Sequence, residues 1–127
     1  MKLRVKGNSM RIRVLRSELY RLNAGEILEE TTRFGPDPEA FLTYTLESSE
    51  EVSATTVRYL HQRVAVILGM NQLRTWSQPG EVGIYTSVEV GANGRLEVII
   101  EKDFACLTGS DEFNEDTFIN PHAGTAC

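Results

Sequence analysis

Cysteine is nearly absent from this sequence. Cys106 and Cys127 are the only two, too few for a disulfide framework. Histidine is as sparse, with His61 and His122 alone, so no local pair of imidazoles offers a metal site or a catalytic base. Long apolar runs are missing as well. The longest, Val64 to Met70, is far short of a membrane span, so no membrane partner is expected. Met1 to Lys6 alternates charged and apolar residues, and no apolar region of a signal peptide follows the basic start. The reducing cytosol is therefore the expected compartment, with both thiols free or ligating. No phosphate loop, dinucleotide-binding glycine pattern or nucleophile elbow occurs, and no cofactor is indicated. Neither histidine forms a local signature with Cys106.

What remains is a globular balance: 127 residues, 41% apolar and 24% charged, the size of one domain. The net charge is −5, which argues against a nucleic-acid platform. Its distribution is uneven. Residues 1–22 carry seven Lys and Arg against Glu18 alone, residues 26–51 carry eight acids against Arg33, and the chain from Glu101 onward carries six acids against Lys102.

Alternation organises the chain. Leu3 and Val5 alternate with Lys2, Arg4 and Lys6, and Met10, Ile12 and Val14 alternate with Arg11 and Arg13. Both segments read as half-buried strands. Gly7-Asn8 between them suits a two-residue hairpin turn. That turn sets Arg4 opposite Arg11 and Lys2 opposite Arg13 on one face, with the apolar set on the other. Ser17 is a candidate N-cap for a helix over 18–24, closed at Gly25. Strands follow at 26–34 and 41–47, separated by the Gly35-Pro36 turn. The second half repeats the order: strands from Thr55 to Tyr59 and Arg63 to Leu68, a helix over 71–77 capped by Asn71, then strands Val82–Val90 and Leu96–Ile100 around the Gly91–Gly94 turn. Arg11–Leu15 lies over Arg63–Ile67 at a spacing of 52.

The expectation is a single α+β domain over 1–127. Two strand-strand-helix-strand-strand repeats, near 1–50 and 53–105, build an eight-stranded antiparallel barrel-like sheet, followed by an irregular acidic tail at 106–127. Neither half could bury its sheet alone, whereas eight strands can close or nearly close a barrel. Phe113 and Phe118 are spaced to anchor the tail, and Trp76 reads as packing rather than a ligand platform.

Two features carry chemistry. Directly opposed like charges on a sheet destabilise it by up to about 1 kcal/mol per pair. Lys2, Arg4, Arg11 and Arg13 therefore call for compensation, either from acids such as Glu29, Glu30 and Glu47 or from a bound phosphate-like or carboxylate anion, which suits arginine forks. Cys106, His122 and Cys127 are candidate zinc ligands, with Asp111, Glu112 or Asp116 as a fourth, although their spacing matches no recognised zinc pattern. An anion-binding module is the first functional reading, without catalysis. A structural protein whose tail and sheet edges join copies of the chain is another.

The segments Met1–Arg13, Glu30-Thr31-Thr32-Arg33-Phe34-Gly35-Pro36 and Glu101-Lys102-Asp103-Phe104-Ala105-Cys106-Leu107 resemble a family of small bacterial proteins to which no activity is assigned. In architecture the duplicated strands around two helices are also similar to the triphosphate-tunnel (CYTH) enzymes. That resemblance implies a closed barrel around a charged channel and metal-dependent phosphohydrolase activity. Those enzymes carry a Glu-x-Glu-x-Lys signature where this chain has Lys2-Leu3-Arg4-Val5-Lys6, basic where metal-binding acids belong. Inward acids at Glu97, Glu101 and Asp103 would restore that reading.

Overall fold

The computed structural model describes residues 1–104 and 116–118. The chain runs β1 (Lys2–Lys6), β2 (Ser9–Val14), α1 (Arg16–Asn23), β3 (Leu28–Arg33), β4 (Phe41–Ser49), β5 (Thr56–Leu60), β6 (Arg63–Gly69), α2 (Met70–Trp76), β7 (Gly83–Glu89) and β8 (Arg95–Lys102), with one 3-10 turn at Gly91–Asn93. All four expected hairpins form. The first has the expected register, with Lys2 opposite Arg13, Leu3 opposite Ile12 and Arg4 opposite Arg11.

How the hairpins join differs from expectation. They make two four-stranded sheets, β1-β2-β8-β7 and β3-β4-β6-β5, not one barrel. Each sheet takes one hairpin from each half of the chain. The central contacts, β2 with β8 and β4 with β6, are parallel, so both sheets are mixed rather than antiparallel. Hairpin pairing is local and encoded by turns, whereas the β2–β8 and β4–β6 contacts join distant segments. Alternation reports which face a residue takes and is silent about the direction of a distant neighbour.

The duplication is real, at a spacing of 54 rather than 52. Helix α1 begins at Arg16 and α2 at Met70, 54 residues later. The same shift carries β1 onto β5 and β2 onto β6, converting the Leu3–Ile12 pair into Val57–Val66. It also carries the parallel Ile12–Ile100 pair onto Leu46–Val66, with the partners exchanged. A spacing of 52 preserves the inward and outward faces, because two residues are one full strand period, but it misplaces the helices.

Both helices begin earlier than Ser17 or Asn71 would place them, and neither of those residues is the cap. The third residue of each helix reaches back instead: Glu18 Oε1 accepts the Leu15 N–H at 2.8 Å, and Gln72 Oε1 accepts the Gly69 N–H at 3.1 Å. This is the reach-back half of a capping box. Ser17 is engaged by Asp116, whose carboxylate accepts its N–H at 3.0 Å and its hydroxyl.

One core fills the space between the inner sheet faces and the helices. It holds Ile12, Val14, Val98 and Ile100 from the first sheet, Leu28, Leu46, Val66 and Leu68 from the second, and Leu19, Leu22, Leu73 and Trp76 from the helices. Trp76 is a core residue, and its indole N–H donates to the Val82 carbonyl at 3.1 Å. Burial is graded along the strands. Val98 and Ile100 are fully buried near the helices, while Leu96, earlier on β8, is only half-buried; Val64, Val66 and Leu68 repeat the gradient on β6. The helices therefore seal one end of the layered sheets and leave the other end open. Among tail residues, Phe118 packs on the core edge with its ring 6.1 Å from that of Phe104, and its N–H bonds to the Asp103 carbonyl. Phe113 lies outside the described residues.

Candidate functional site

The basic face of the first hairpin is outward, and the parallel neighbour decides its electrostatics. The β2–β8 register sets Arg11 beside Ile99 and Arg13 beside Glu101. Glu101 lies 3.2 Å from Arg11 Nε and 4.0 Å from Arg13 Nε. Its other oxygen accepts the Tyr85 hydroxyl at 3.0 Å. Burial first, then this hydrogen bond and the Glu101 charge, push the Tyr85 pKa up. Lys2 Nζ lies 3.2 Å from Asp103. Compensation thus comes from Glu101 and Asp103, not from the expected Glu29, Glu30 and Glu47. Glu29 instead pairs with Arg63 at 2.6 Å in the other sheet. Glu30 accepts from Tyr44 at 3.2 Å, and Glu47 from Thr45.

Compensation is incomplete. Among the described residues, Arg4 and Lys6 meet no carboxylate. The Arg11 Nε and Glu101 Oε1 atoms are buried and close, yet no aligned hydrogen bond joins them, so that contact is an ion pair of poor geometry. A depression of about 230 Å³ on this face is lined by Arg4, Lys6, Ser9, Met10, Arg11 and Ile99. Of the four residues singled out from sequence, Arg4 and Arg11 line it. Arg13 and Lys2 stand farther along the hairpin against their acids. Lys6 lines it too; its alternation with Leu3 and Val5 already placed it on this face.

A second cavity occupies the open end of the core. This cleft of about 690 Å³ has walls from both sheets. Eight of its apolar lining residues fall into pairs related by the 54-residue shift, Leu3 with Val57, Val5 with Tyr59, Met10 with Val64, and Leu42 with Leu96, while Val88 and Val90 have no such partner. The cleft therefore lies where the two halves of the chain meet symmetrically. Among the described residues Glu89 is the one charged residue in its lining, and Arg95 stands 3.6 Å from that carboxylate. Val5 is 65% exposed and Tyr59 67% exposed at the mouth. Sequence alternation identified these residues as apolar strand positions but could not tell a filled core from an unfilled one.

Lys102 is the notable residue that sequence reasoning passed over. It continues the inward series of Val98 and Ile100 and is only 4% exposed. Its ammonium donates to the Gln78 carbonyl at 2.9 Å, just past the C-terminus of α2, and lies 5.4 Å from the Phe118 ring centroid. Burial pushes its pKa down, partly opposed by Glu81. A cation at a helix C-terminus is favourable, so its role here is structural.

The proposed zinc ligands Cys106, His122 and Cys127 lie outside the described residues. Among the described residues, no three His, Cys, Asp or Glu side chains gather closely enough to hold a metal. Glu97 and Glu101 share the outward face of β8 with the basic hairpin, so among the described residues no inward acid cluster forms between the sheets. With two separate sheets in place of a closed barrel, the tunnel-enzyme architecture is not found.

No curated protein and no solved structure matches the chain. A family model covers residues 1–122, and on that match the chain belongs to a family of unknown function, DUF7009.

Proposed function

We propose that the chain is a non-catalytic binding protein whose outer basic face holds a small anion, a phosphate or a carboxylate. One observation carries this reading: Arg4 is paired directly opposite Arg11, and neither Arg4 nor its neighbour Lys6 has a carboxylate partner among the described residues. Among the described residues the face holds six cations, Lys2, Arg4, Lys6, Arg11, Arg13 and Arg95, against four acids, Glu89, Glu97, Glu101 and Asp103. An anion between Arg4 and Arg11 relieves the repulsion of opposed like charges and meets the planar donor forks that suit phosphate and carboxylate.

The repeat supplies an internal comparison. Shifted by 54 residues, Lys2, Lys6, Arg11 and Arg13 become Thr56, Leu60, Ala65 and Ile67, while Arg4 becomes Arg58. The opposed pair Arg4–Arg11 is thus Arg58–Ala65 in the second half, so the fold does not require two facing cations there, and only the first hairpin carries them. Lys2 and Arg13, which stand outside the lining of the depression, contribute to the field rather than to direct contacts.

Calorimetric titration with phosphate, triphosphate and a dicarboxylate tests the reading. The unmutated protein binds at least one of them, more weakly as salt rises. The Arg4→Gln/Arg11→Gln double variant remains folded and releases no heat. Absence of heat from all three with the unmutated protein refutes the proposal.

A further inference from the structure

The depression on the basic face and the apolar cleft are not independent. Ser9 and Met10 line both. Lys6, in the depression, is followed by Gly7 and Asn8, which line the cleft. Cationic and apolar surfaces thus meet around the first hairpin turn, at the end of an edge strand. We infer that the ligand is a single-chain amphiphile: its hydrocarbon chain lies in the cleft between the sheets, and its anionic head sits on Lys6, Arg4 and Arg11. This inference rests on the anion-binding reading and names the ligand class for that site.

The cleft favours this occupant. Its volume of about 690 Å³ lies in the range of small-molecule sites. Both walls carry aliphatic side chains, Leu3 and Val88 from one sheet and Leu42 and Val57 from the other, and among the described residues the lining's charged side chain is the carboxylate Glu89, so it offers no cation that would hold a free anion inside. The described part of the tail does not fill it. Phe118 sits by Lys102, and Lys102 is about 20 Å along β8 from Leu96 at roughly 3.3 Å per residue. The exposed Val5 and Tyr59 at the mouth are explained if a chain passes over them.

The test compares decanoate, decanol and inorganic phosphate, each titrated into the full chain below the concentration at which it self-assembles. Decanoate binds more tightly than decanol by about tenfold or more, as expected for a charge-assisted head-group contact. Affinity climbs from octanoate to dodecanoate by up to about fourfold per methylene. Arg4→Gln/Lys6→Gln removes the advantage of decanoate over decanol. Val57→Trp fills the cleft, abolishes decanoate binding and leaves phosphate binding intact; Val88→Trp, from the opposite wall, serves the same purpose if the first variant does not fold. Equal affinity for decanoate and decanol overturns the inference. Phosphate binding without any decanoate binding also overturns it, while the anion-binding reading stands. No binding of decanoate, phosphate, triphosphate or the dicarboxylate refutes both.

Discussion

The two repeat halves turn their first hairpins differently, and that difference can be measured. In the first hairpin only Gly7 has a positive φ, +55°. In the second, both turn residues are in the left-handed region and neither is glycine: His61 at φ 50° and Gln62 at φ 60°. Two central residues with positive φ are the pattern of a type I′ turn, which favours Asn-Gly. A non-glycine residue in that region costs about 1–2 kcal/mol, while glycine costs about 0.5–1 kcal/mol in extra unfolded-state freedom. Gln62→Gly therefore stabilises the protein by about 0.5–1 kcal/mol. At about 2.1 cal/mol/K of unfolding entropy per residue, that raises Tm by about 2–4 °C. Gly7→Ala is the mirror experiment. A Cβ there meets nothing within 4 Å, so its cost is purely conformational, about 0.5–1 kcal/mol by the same difference. Asn8→Gly, at a position without a positive φ, gives no gain. Thermal and urea melts of the three variants read the result. A Gln62→Gly variant that is folded but no more stable, or an Asn8→Gly variant stabilised as much, refutes the turn assignment.

Three further outcomes follow from the packing. Lys102 has its pKa lowered in the folded state, so the unfolded chain holds more protons from below the ordinary lysine value up to about 10.5. Stability therefore rises with pH across that window, and urea melts show the rise in the unmutated protein relative to Lys102→Met, which lacks it. Glu18→Ala and Gln72→Ala each remove a reach-back cap worth about 1 kcal/mol in denaturant melts, and Glu18→Ala costs more because Glu18 also pairs with the Met1 ammonium; a smaller loss at Glu18 than at Gln72 contradicts this reading. Asp116→Ala removes the acceptor at the start of α1 and lowers stability by about 0.5–2 kcal/mol, and an unchanged Tm shows that this contact does not order the segment.

Local features of this protein were legible in its residues. Strict alternation located the first and last hairpins, weaker alternation and turn residues located the two between them, and Gly7-Asn8 set the register that opposes Arg4 to Arg11. The ordered recurrence of strands and helices revealed the duplication. These follow from neighbours in sequence, where turn geometry and side-chain period leave few alternatives. Tertiary structure alone decided the rest. The parallel contacts β2–β8 and β4–β6 split the strands into two sheets, because each hairpin pairs with one from the other half. That same contact brought Glu101 to Arg11 and Arg13, 90 and 88 residues away in the chain, and left Arg4 and Lys6 unmatched. It also placed the helices at one end of the core. Leu42 and Leu96 carry the same apolar pattern as Leu46 and Ile100, yet the first two line a cleft and the second two are sealed, because the helices cover only part of the length of the strands; Leu3 and Val57, directly opposite the sealed Ile12 and Val66, line the cleft because they stand on edge strands.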